Sequence, residues 1–155
     1  NLRPFVPADV EVLFFWKNDP VTRANSVNTE EVPWVDHFKW FQGVIADLEH
    51  LLRIAEIDGI PVGLVRTGLR DDGTVEVHYT VSPNFRRQGV GTRMVKMFVS
   101  MYLGVSRIIL PIKEGNIGSE KIAVSLGLSR IDASAEVMEE GQPPLYVWAQ
   151  APGNA

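Results

Sequence analysis

The chain has 155 residues, of which 45% are hydrophobic and 22% charged, and its formal net charge is -4 at pH 7. This composition is typical of an ordinary globular domain, and the negative charge argues against nucleic acid as the main partner, because phosphate binding usually needs surplus lysine and arginine. The absence of cysteine excludes disulfides, thiolate metal ligands and an acyl-cysteine intermediate, and the absence of a membrane-length apolar run favours no membrane contact and a cytoplasmic location.

The N-terminal third of the chain is predicted to contain one short strand and two helices. The strand covers residues 2–5, and Asp9 caps a first helix over the apolar run 10–16. Asn18-Asp19-Pro20 ends that helix. Pro33 suits the first turn of the second helix, in which apolar side chains recur at spacings of four and three. That spacing predicts its buried face as Trp34, Phe38, Phe41, Ile45 and Leu48, with His37, Trp40 and Val44 on another face.

The rest of the chain alternates between strands and helices. Its predicted elements are strands over 51–57, 60–67 and 74–82, a helix from 90 to about 103, a strand over 107–112, a helix over 116–126, and strands over 131–139 and 145–149. Asp58-Gly59 is a strong two-residue hairpin signal between the first two of these strands. The strands on either side of the helix that begins at residue 90 should be parallel, with a right-handed crossover.

A loop with two glycines joins strand 74–82 to the following helix. It reads Arg86-Arg87-Gln88-Gly89-Val90-Gly91-Thr92. Glycine lets the backbone turn tightly and approach a ligand, and the first-turn N–H groups of a helix point at any anion placed there. The spacing matches neither a Walker loop nor the three-glycine dinucleotide fingerprint. The motif alone leaves open a pyrophosphate cradle or a plain strand-to-helix turn.

Arg86, Gly89 and Gly91 fit the pattern Arg/Gln-x-x-Gly-x-Gly/Ala, and here the chain resembles the GCN5-related N-acetyltransferases, the GNAT superfamily. The predicted order of elements resembles the GNAT fold over essentially the whole chain. That fold is α/β, with a mixed sheet of about six to seven strands, a splayed parallel pair and about four helices. We therefore expect a single GNAT domain over residues 1–150 and a frayed tail over 151–155. A start at Asn1 instead of methionine also suits one domain of a longer protein.

The resemblance implies acetyl-CoA as the cofactor. Backbone N–H groups of the loop would bind its pyrophosphate, with two arginines adding charge, and a backbone N–H at a bulge close to Val81 would polarise the thioester carbonyl. The implied cofactor-binding residues are Val81, Arg86, Arg87, Gln88, Gly89, Val90, Gly91, Thr92, Asn116 and Ser119.

Polar side chains follow one face of strand 74–82, which helices should cover on both faces. This face carries Glu76, His78, Thr80 and Ser82. Polar groups on a buried strand either line a pocket or satisfy one another. The resemblance implies an acidic residue near Glu76 that accepts the amine proton through water, so Glu76 and His78 are the predicted catalytic residues. A glutamate at the exposed start of the strand and a hydrogen-bonded core histidine are the alternatives.

The general acid is not identified by the sequence. Many GNAT enzymes use a tyrosine seven residues after the asparagine that corresponds to Asn116, and this position is Ala123. Ser119, Ser125, Tyr146 or solvent would have to replace it. The three histidines of the chain show no metal-ligand spacing, so we expect no metal site.

The first two helices indicate the acceptor. Asn18-Asp19-Pro20, Arg23, Ser26 and His37-Phe38-Lys39-Trp40-Phe41 resemble a GNAT subgroup that acetylates nucleotide-linked amino sugars of the pseudaminic acid type. In that subgroup these helices frame the acceptor pocket. An aromatic face can stack on a base or sugar, and basic side chains can hold phosphate or hydroxyl groups. The predicted substrate-binding residues are Arg23, His37, Trp40 and Tyr146, with core packing of Trp40 and a solvated Arg23 as alternatives.

These patterns predict an acetyl-CoA dependent N-acetyltransferase that transfers the acetyl group directly to the primary amine of a small acceptor, a nucleotide-linked amino sugar. Acetylation of protein N-termini or lysines is the alternative within enzymes. A non-catalytic acyl-CoA binding module is the alternative outside them. The acyl-chain preference and a homodimer are left open.

Overall fold

The computed structural model describes residues 1–46, 51–101, 107–136 and 144–150. These residues form one seven-stranded sheet with strand order β1-β2-β3-β4-β5-β7-β6. The strands are β1 (Leu2–Pro4), β2 (Leu52–Ile57), β3 (Ile60–Leu69), β4 (Val75–Val81), β5 (Ile108–Lys113), β6 (Ser129–Glu136) and β7 (Leu145–Ala149). The α-helices are α1 (Val10–Asn18), α2 (Pro20–Ala24), α3 (Trp34–Ala46), α4 (Val90–Ser100) and α5 (Ile117–Ser125).

The predicted α/β architecture with a mixed sheet is confirmed. Local interactions explain where individual helices and strands begin and end. Asp58 and Gly59 have φ angles of 50° and 78° and join β2 to β3 in a hairpin, as predicted. The short helix α2 is not predicted by the sequence pattern. The Asp19 side chain caps it by accepting a hydrogen bond from the Thr22 N–H at 2.9 Å, and Pro20 occupies its first turn. The predicted tail over 151–155 and the predicted helix end near residue 103 lie outside the described residues.

The parallel strands β4 and β5 separate soon after they begin. They pair only at Val75–Ile108 and Glu76–Ile109. Along their other edges, β4 follows β3 and β5 follows β7, each through a continuous antiparallel ladder. The two strands therefore diverge with their own partners, and from Val77 onward the β4 edge that faces β5 has no strand partner among the described residues.

The expected bulge near Val81 is not found. The β3–β4 ladder keeps one register from Gly63–Val81 to Leu69–Val75. The splay needs no extra residue, because it comes from the loss of β4–β5 pairing. Within the described parts of the chain, the backbone of β4 that faces the gap has no strand partner.

Helices cover both faces of the sheet. Ala55 and Val65 belong to the core cluster that includes Val95 and Phe98 of α4, whereas Ile54 packs in a separate cluster with Leu13 of α1. Adjacent residues of a strand point to opposite faces, so α4 and α1 lie on opposite sides of the sheet. The gap between β4 and β5 opens between these two layers.

The predicted buried face of α3 is wrong in most of its positions. Trp34, Phe38 and Ile45 are 44%, 41% and 47% exposed, whereas His37 is 3% exposed and Phe41, which was predicted correctly, is 3% exposed. A polar contact explains this orientation of α3. His37 Nε2 lies 2.9 Å from the Val10 backbone oxygen, so a histidine holds the helix against α1. The predicted core residue Leu48 lies outside the described residues.

Candidate active site

A cavity of about 690 Å³ lies beside the first turns of α4 and α5. All predicted cofactor-binding residues except Gln88 line it, namely Val81, Arg86, Arg87, Gly89, Val90, Gly91, Thr92, Asn116 and Ser119. Gln88 is exposed and donates a hydrogen bond to the Asn84 backbone oxygen at 3.0 Å. Asn116 is the N-cap of α5, and its Oδ1 accepts from the Ser119 N–H at 3.3 Å. Residues far apart in sequence thus meet around one cavity.

The first turn of α4 approaches β4 and α5 very closely. A Cβ at Gly91 would lie 3.0 Å from Ile122 Cδ1 and 3.2 Å from Val81 Cγ2, and Gly89, the N-cap, has φ = 73°. Glycine is suited to both positions, because it has no Cβ to clash and adopts positive φ without strain. The first-turn N–H groups have no partner inside the helix and carry the positive end of its dipole. This part of the cavity therefore fits the phosphate groups of CoA.

The two arginines of the loop have different environments. Arg86 Nη2 donates to Asp19 Oδ2 at 2.6 Å and to Thr22 Oγ1 at 2.9 Å, so it fastens the loop to α2. Burial alone would raise the pKa of Asp19, but the hydrogen bonds from Arg86 and Thr22 bring that pKa below its usual value. Arg87, with φ = 60°, is exposed and forms no ion pair within the described ranges. Its charge is available to a bound anion.

A second cavity of about 570 Å³ lies between α1, α3 and strands β3 to β5. Two of the predicted acceptor-binding residues, His37 and Trp40, line it. Seven residues line both cavities, namely Thr22, Asn25, Ser26, Tyr79, Thr80, Asn116 and Ser119. The cavities therefore share a wall at the gap between β4 and β5, where a group held in one cavity can meet a group held in the other.

Two predicted acceptor residues lie elsewhere. Arg23 donates from Nε to the Asn18 backbone oxygen and from Nη1 to the Thr29 backbone oxygen, each at 3.2 Å. The Tyr146 ring packs under the Arg130 guanidinium, whose carbon is 4.4 Å from the ring centroid. Neither Arg23 nor Tyr146 is among the residues that line the two cavities. Both side chains instead form contacts that stabilise local structure.

Glu76 and His78 form a connected pair. The Glu76 carboxylate accepts a hydrogen bond from Arg70 Nε, and its Oε2 lies 3.1 Å from His78 Nε2. A carboxylate only accepts, so Nε2 carries the proton and Nδ1 is left as an acceptor. Burial and the charge of Arg66 lower the pKa of His78, while Glu76 opposes them. His78 lines the second cavity and Glu76 does not, so the imidazole is the group of this pair that a ligand in the cavity can reach, with the Glu76 carboxylate in contact with its Nε2.

Tyr79 is a candidate site residue that the sequence pattern does not reveal. Its hydroxyl is buried and has no hydrogen-bond partner among the described residues. Burial raises the pKa of Tyr79 to about 12, an effect that the nearby Ser119 side chain partly opposes. The alternation of side chains places Tyr79 with Val77 and Val81 on the apolar face of β4. This pattern is typical of residues in the hydrophobic core. The unpartnered hydroxyl at the junction of two cavities is visible only in the structure.

Neither a metal centre nor a membrane span is found among the described residues. They contain no cluster of three or more histidine and acidic side chains suited to a metal ion, and none of their helices is long and apolar enough to cross a bilayer. His50 lies outside the described residues, and the other two histidines, His37 and His78, are both engaged in hydrogen bonds.

Comparison with known proteins identifies the family. The family model described as the acetyltransferase (GNAT) domain matches residues 1–129. The chain therefore belongs to the GNAT acetyltransferases, and the predicted class, an acetyl-CoA dependent N-acetyltransferase acting on an amine, is confirmed. No curated protein matches the sequence.

Solved structures share the fold at low sequence identity. The chain is similar to ribosomal-protein-alanine N-acetyltransferase from Brucella melitensis, with 22% identity, 96% of each chain covered and a TM-score of 0.77. It is similar to yncA of Salmonella typhimurium, solved with acetyl-CoA, with 19% identity, 100% of this chain and 98% of that chain covered and a TM-score of 0.76. Spermidine N-acetyltransferase from Vibrio cholerae, solved with CoA and spermine, gives 12% identity, coverage of 96% and 92% and a TM-score of 0.81.

Proposed function

We propose that the protein acetylates the primary amine of a nucleotide-linked amino sugar. The observation that carries this proposal is the second cavity, because it offers a small-molecule volume of about 570 Å³ that meets the cofactor cavity at a shared wall. Ligand sites for small molecules typically measure roughly 300–1,000 Å³ and combine apolar walls with a few polar groups. Trp40 and His37 provide the aromatic wall, which suits stacking against a sugar or a base.

The donor is held by the first cavity. The turn from Gly89 to Thr92 would bind the phosphates of CoA through backbone N–H groups, and Arg87 would add a free positive charge. When bound, acetyl-CoA supplies the thioester that activates the acetyl group. The β4 edge from Val77 to Val81 has no strand partner among the described residues, so its backbone N–H groups could donate to the carbonyl oxygen and favour the negative charge that develops there.

Two neighbouring side chains, His78 and Tyr79, would carry out the proton transfers. His78 Nδ1 accepts the proton that the amine loses as its nitrogen bonds to the acetyl carbon, and Glu76 keeps the imidazole in the required tautomer. With acetyl-CoA bound, the Tyr79 hydroxyl would supply the proton that the sulfur takes up as the carbon–sulfur bond breaks. The proton held by His78 returns to the tyrosine oxygen through water, so the enzyme is restored. Tyr79 thus replaces the tyrosine that is missing at Ala123.

The proposal is tested by measuring thiol release from acetyl-CoA with three acceptors: a UDP-linked amino sugar with a free primary amine, an alanine-starting peptide and spermidine. We expect kcat/KM for the UDP-linked amino sugar to exceed the values for the peptide and for spermidine by at least about a hundredfold, because a cavity suited to one class of acceptor discriminates against the others. Preference for the peptide or for spermidine would overturn the acceptor assignment.

A second measurement separates the cofactor from the acceptor. Calorimetry should show acetyl-CoA binding to the wild type and none to the Gly89→Asp, Gly91→Asp double variant, because two carboxylates would repel the phosphates. Circular dichroism of the double variant confirms that it is folded. If the wild type itself bound no acetyl-CoA, the whole proposed function would be rejected.

A further inference from the structure

Basic side chains outnumber acidic ones in the described lining of the second cavity. Lys17 of α1, Arg66 of β3 and Lys113 of β5 line it, and Asp36 is the single acidic residue among the described lining residues. Lys113 Nζ is occupied by the backbone oxygens of Ala24 and Ser26, both at 3.2 Å. Among the described residues, the Lys17 and Arg66 side chains have neither an ion-pair nor a hydrogen-bond partner. Two cations in the cavity wall thus make no direct contact with a carboxylate among the described residues.

Lys17 and Arg66 are close enough to act on each other. Burial, followed by the charge of Arg66, lowers the pKa of Lys17. Arg66 lies opposite His78 in the β3–β4 register, and the carboxylate that stabilises its charge, Glu76, is already bound by Arg70 and His78. Two partly buried like charges destabilise the free protein unless a ligand supplies the opposite charge.

We propose that Lys17 and Arg66 form an anion subsite that binds a pyrophosphate group of the acceptor. This inference rests on the proposed function and specifies the chemistry of its substrate: the acceptor is an amine that also carries phosphate. A guanidinium and an ammonium that line the same cavity can donate several charge-assisted hydrogen bonds to phosphate oxygens. The same two charges repel polycationic amines.

The test uses inorganic pyrophosphate as the probe and thermal unfolding as the readout, with CoA present at saturation so that the cofactor cavity is filled. We expect pyrophosphate to raise the melting temperature of the wild type, because a ligand that binds only the folded state stabilises it. The Lys17→Met variant should melt higher than the wild type without pyrophosphate, since one of two repelling charges is gone, and should lose the response to pyrophosphate. The Lys39→Met variant, which removes an exposed lysine of α3 outside both cavities, should respond as the wild type does.

A kinetic measurement supports the same subsite independently of stability. In Lys17→Met and Arg66→Gln, KM for the UDP-linked amino sugar should rise by about tenfold or more, as expected for the loss of a charge-assisted contact. If Arg66→Gln does not fold, Lys17→Met alone decides the question. The inference is overturned if pyrophosphate leaves the wild type unchanged or stabilises Lys17→Met equally. A wrong proposed function would give a different result: the wild type would not acetylate the UDP-linked amino sugar, although pyrophosphate would still raise its melting temperature.

Discussion

Burial has opposite consequences for two adjacent side chains of β4. Burial lowers the pKa of His78, because the charged imidazolium is less stable away from water. It raises the pKa of Tyr79, because the charged phenolate is also less stable away from water. At neutral pH the first residue is therefore an unprotonated base and the second a protonated acid. Amine acetylation by direct attack needs one of each, so a single desolvated stretch of strand can supply both.

Replacement of His78 by glutamine should lower kcat/KM by roughly 10²- to 10⁴-fold, the usual contribution of a positioned base. In the wild type, kcat/KM should fall as the pH drops through the pKa of His78, which lies below the ordinary histidine value of about 6.5. This histidine-dependent acid limb should disappear in His78→Gln, while acetyl-CoA binding measured by calorimetry stays unchanged. An identical acid limb in the variant would reject His78 as the base.

Replacement of Tyr79 by phenylalanine should lower kcat by about tenfold or more and leave the KM for acetyl-CoA unchanged, because only proton donation is lost. The hydroxyl has no hydrogen-bond partner among the described residues, so its removal should not lower the melting temperature. Steady-state kinetics and thermal unfolding of the same preparation check both statements. A stable variant with the kcat of the wild type would show that solvent protonates the thiolate.

Nine of the ten predicted cofactor-binding residues line the first cavity, whereas two of the four predicted acceptor-binding residues line the second. The loop residues are contiguous, so the spacing of Gly89 and Gly91 is visible in the sequence itself. The acceptor cavity instead combines Lys17, Arg66 and His78 from three elements, and no local pattern records which of their side chains converge. Arg23 shows the same limit, since its hydrogen bonds to two backbone oxygens depend on the path of a loop.

At the scale of elements, close contact of α4 with β4 and α5 shapes the cofactor cavity. Gly91→Ala should lower the free energy of unfolding by about 1–3 kcal/mol, because its Cβ would overpack Ile122 and Val81. It should also weaken acetyl-CoA binding, since α4 must shift away from β4. Urea unfolding and calorimetry measure the two effects.

Gly43→Ala in α3 is the matched control. A Cβ at Gly43 meets no atom within 4 Å, so alanine should raise the free energy of unfolding by about 0.5–1 kcal/mol through its better helix propensity. Acetyl-CoA binding should stay at the wild-type level. Equal stability of the two variants would show that the contact of Gly91 with Ile122 and Val81 is not a tight one.

Helix and strand types were predictable from the sequence, but the orientation of α3 was not. Period and turn signals, such as Asp58-Gly59, are local and strong. The buried face of α3 depends on the bond from His37 to the Val10 backbone, which makes a histidine more buried than Trp34 or Phe38. Hydrophobicity alone cannot rank those side chains, because the tertiary contact decides the rotation of the helix.

At the scale of the whole molecule, one gap in the sheet connects two cavities that lie on opposite sides of it. β4 and β5 pair at only two positions, and the wall that the cavities share includes Tyr79, Thr80 and Asn116. In the proposed function, donor and acceptor would therefore be bound together, and the acetyl group would pass directly between them. Because the chain contains no cysteine, an intermediate acyl-cysteine is excluded.

Initial velocities should therefore give intersecting double-reciprocal lines when acetyl-CoA and the amine are varied together, as a ternary complex requires. Parallel lines are the mark of a covalent acetyl-enzyme. Mass spectrometry of the protein after incubation with acetyl-CoA alone should show no added acetyl group. The Gly89→Asp, Gly91→Asp variant serves as the control for non-enzymatic acetylation, because it should not bind the donor. Parallel lines together with an acetylated wild type would mean that another side chain carries the acetyl group and that the shared wall is not the path of transfer.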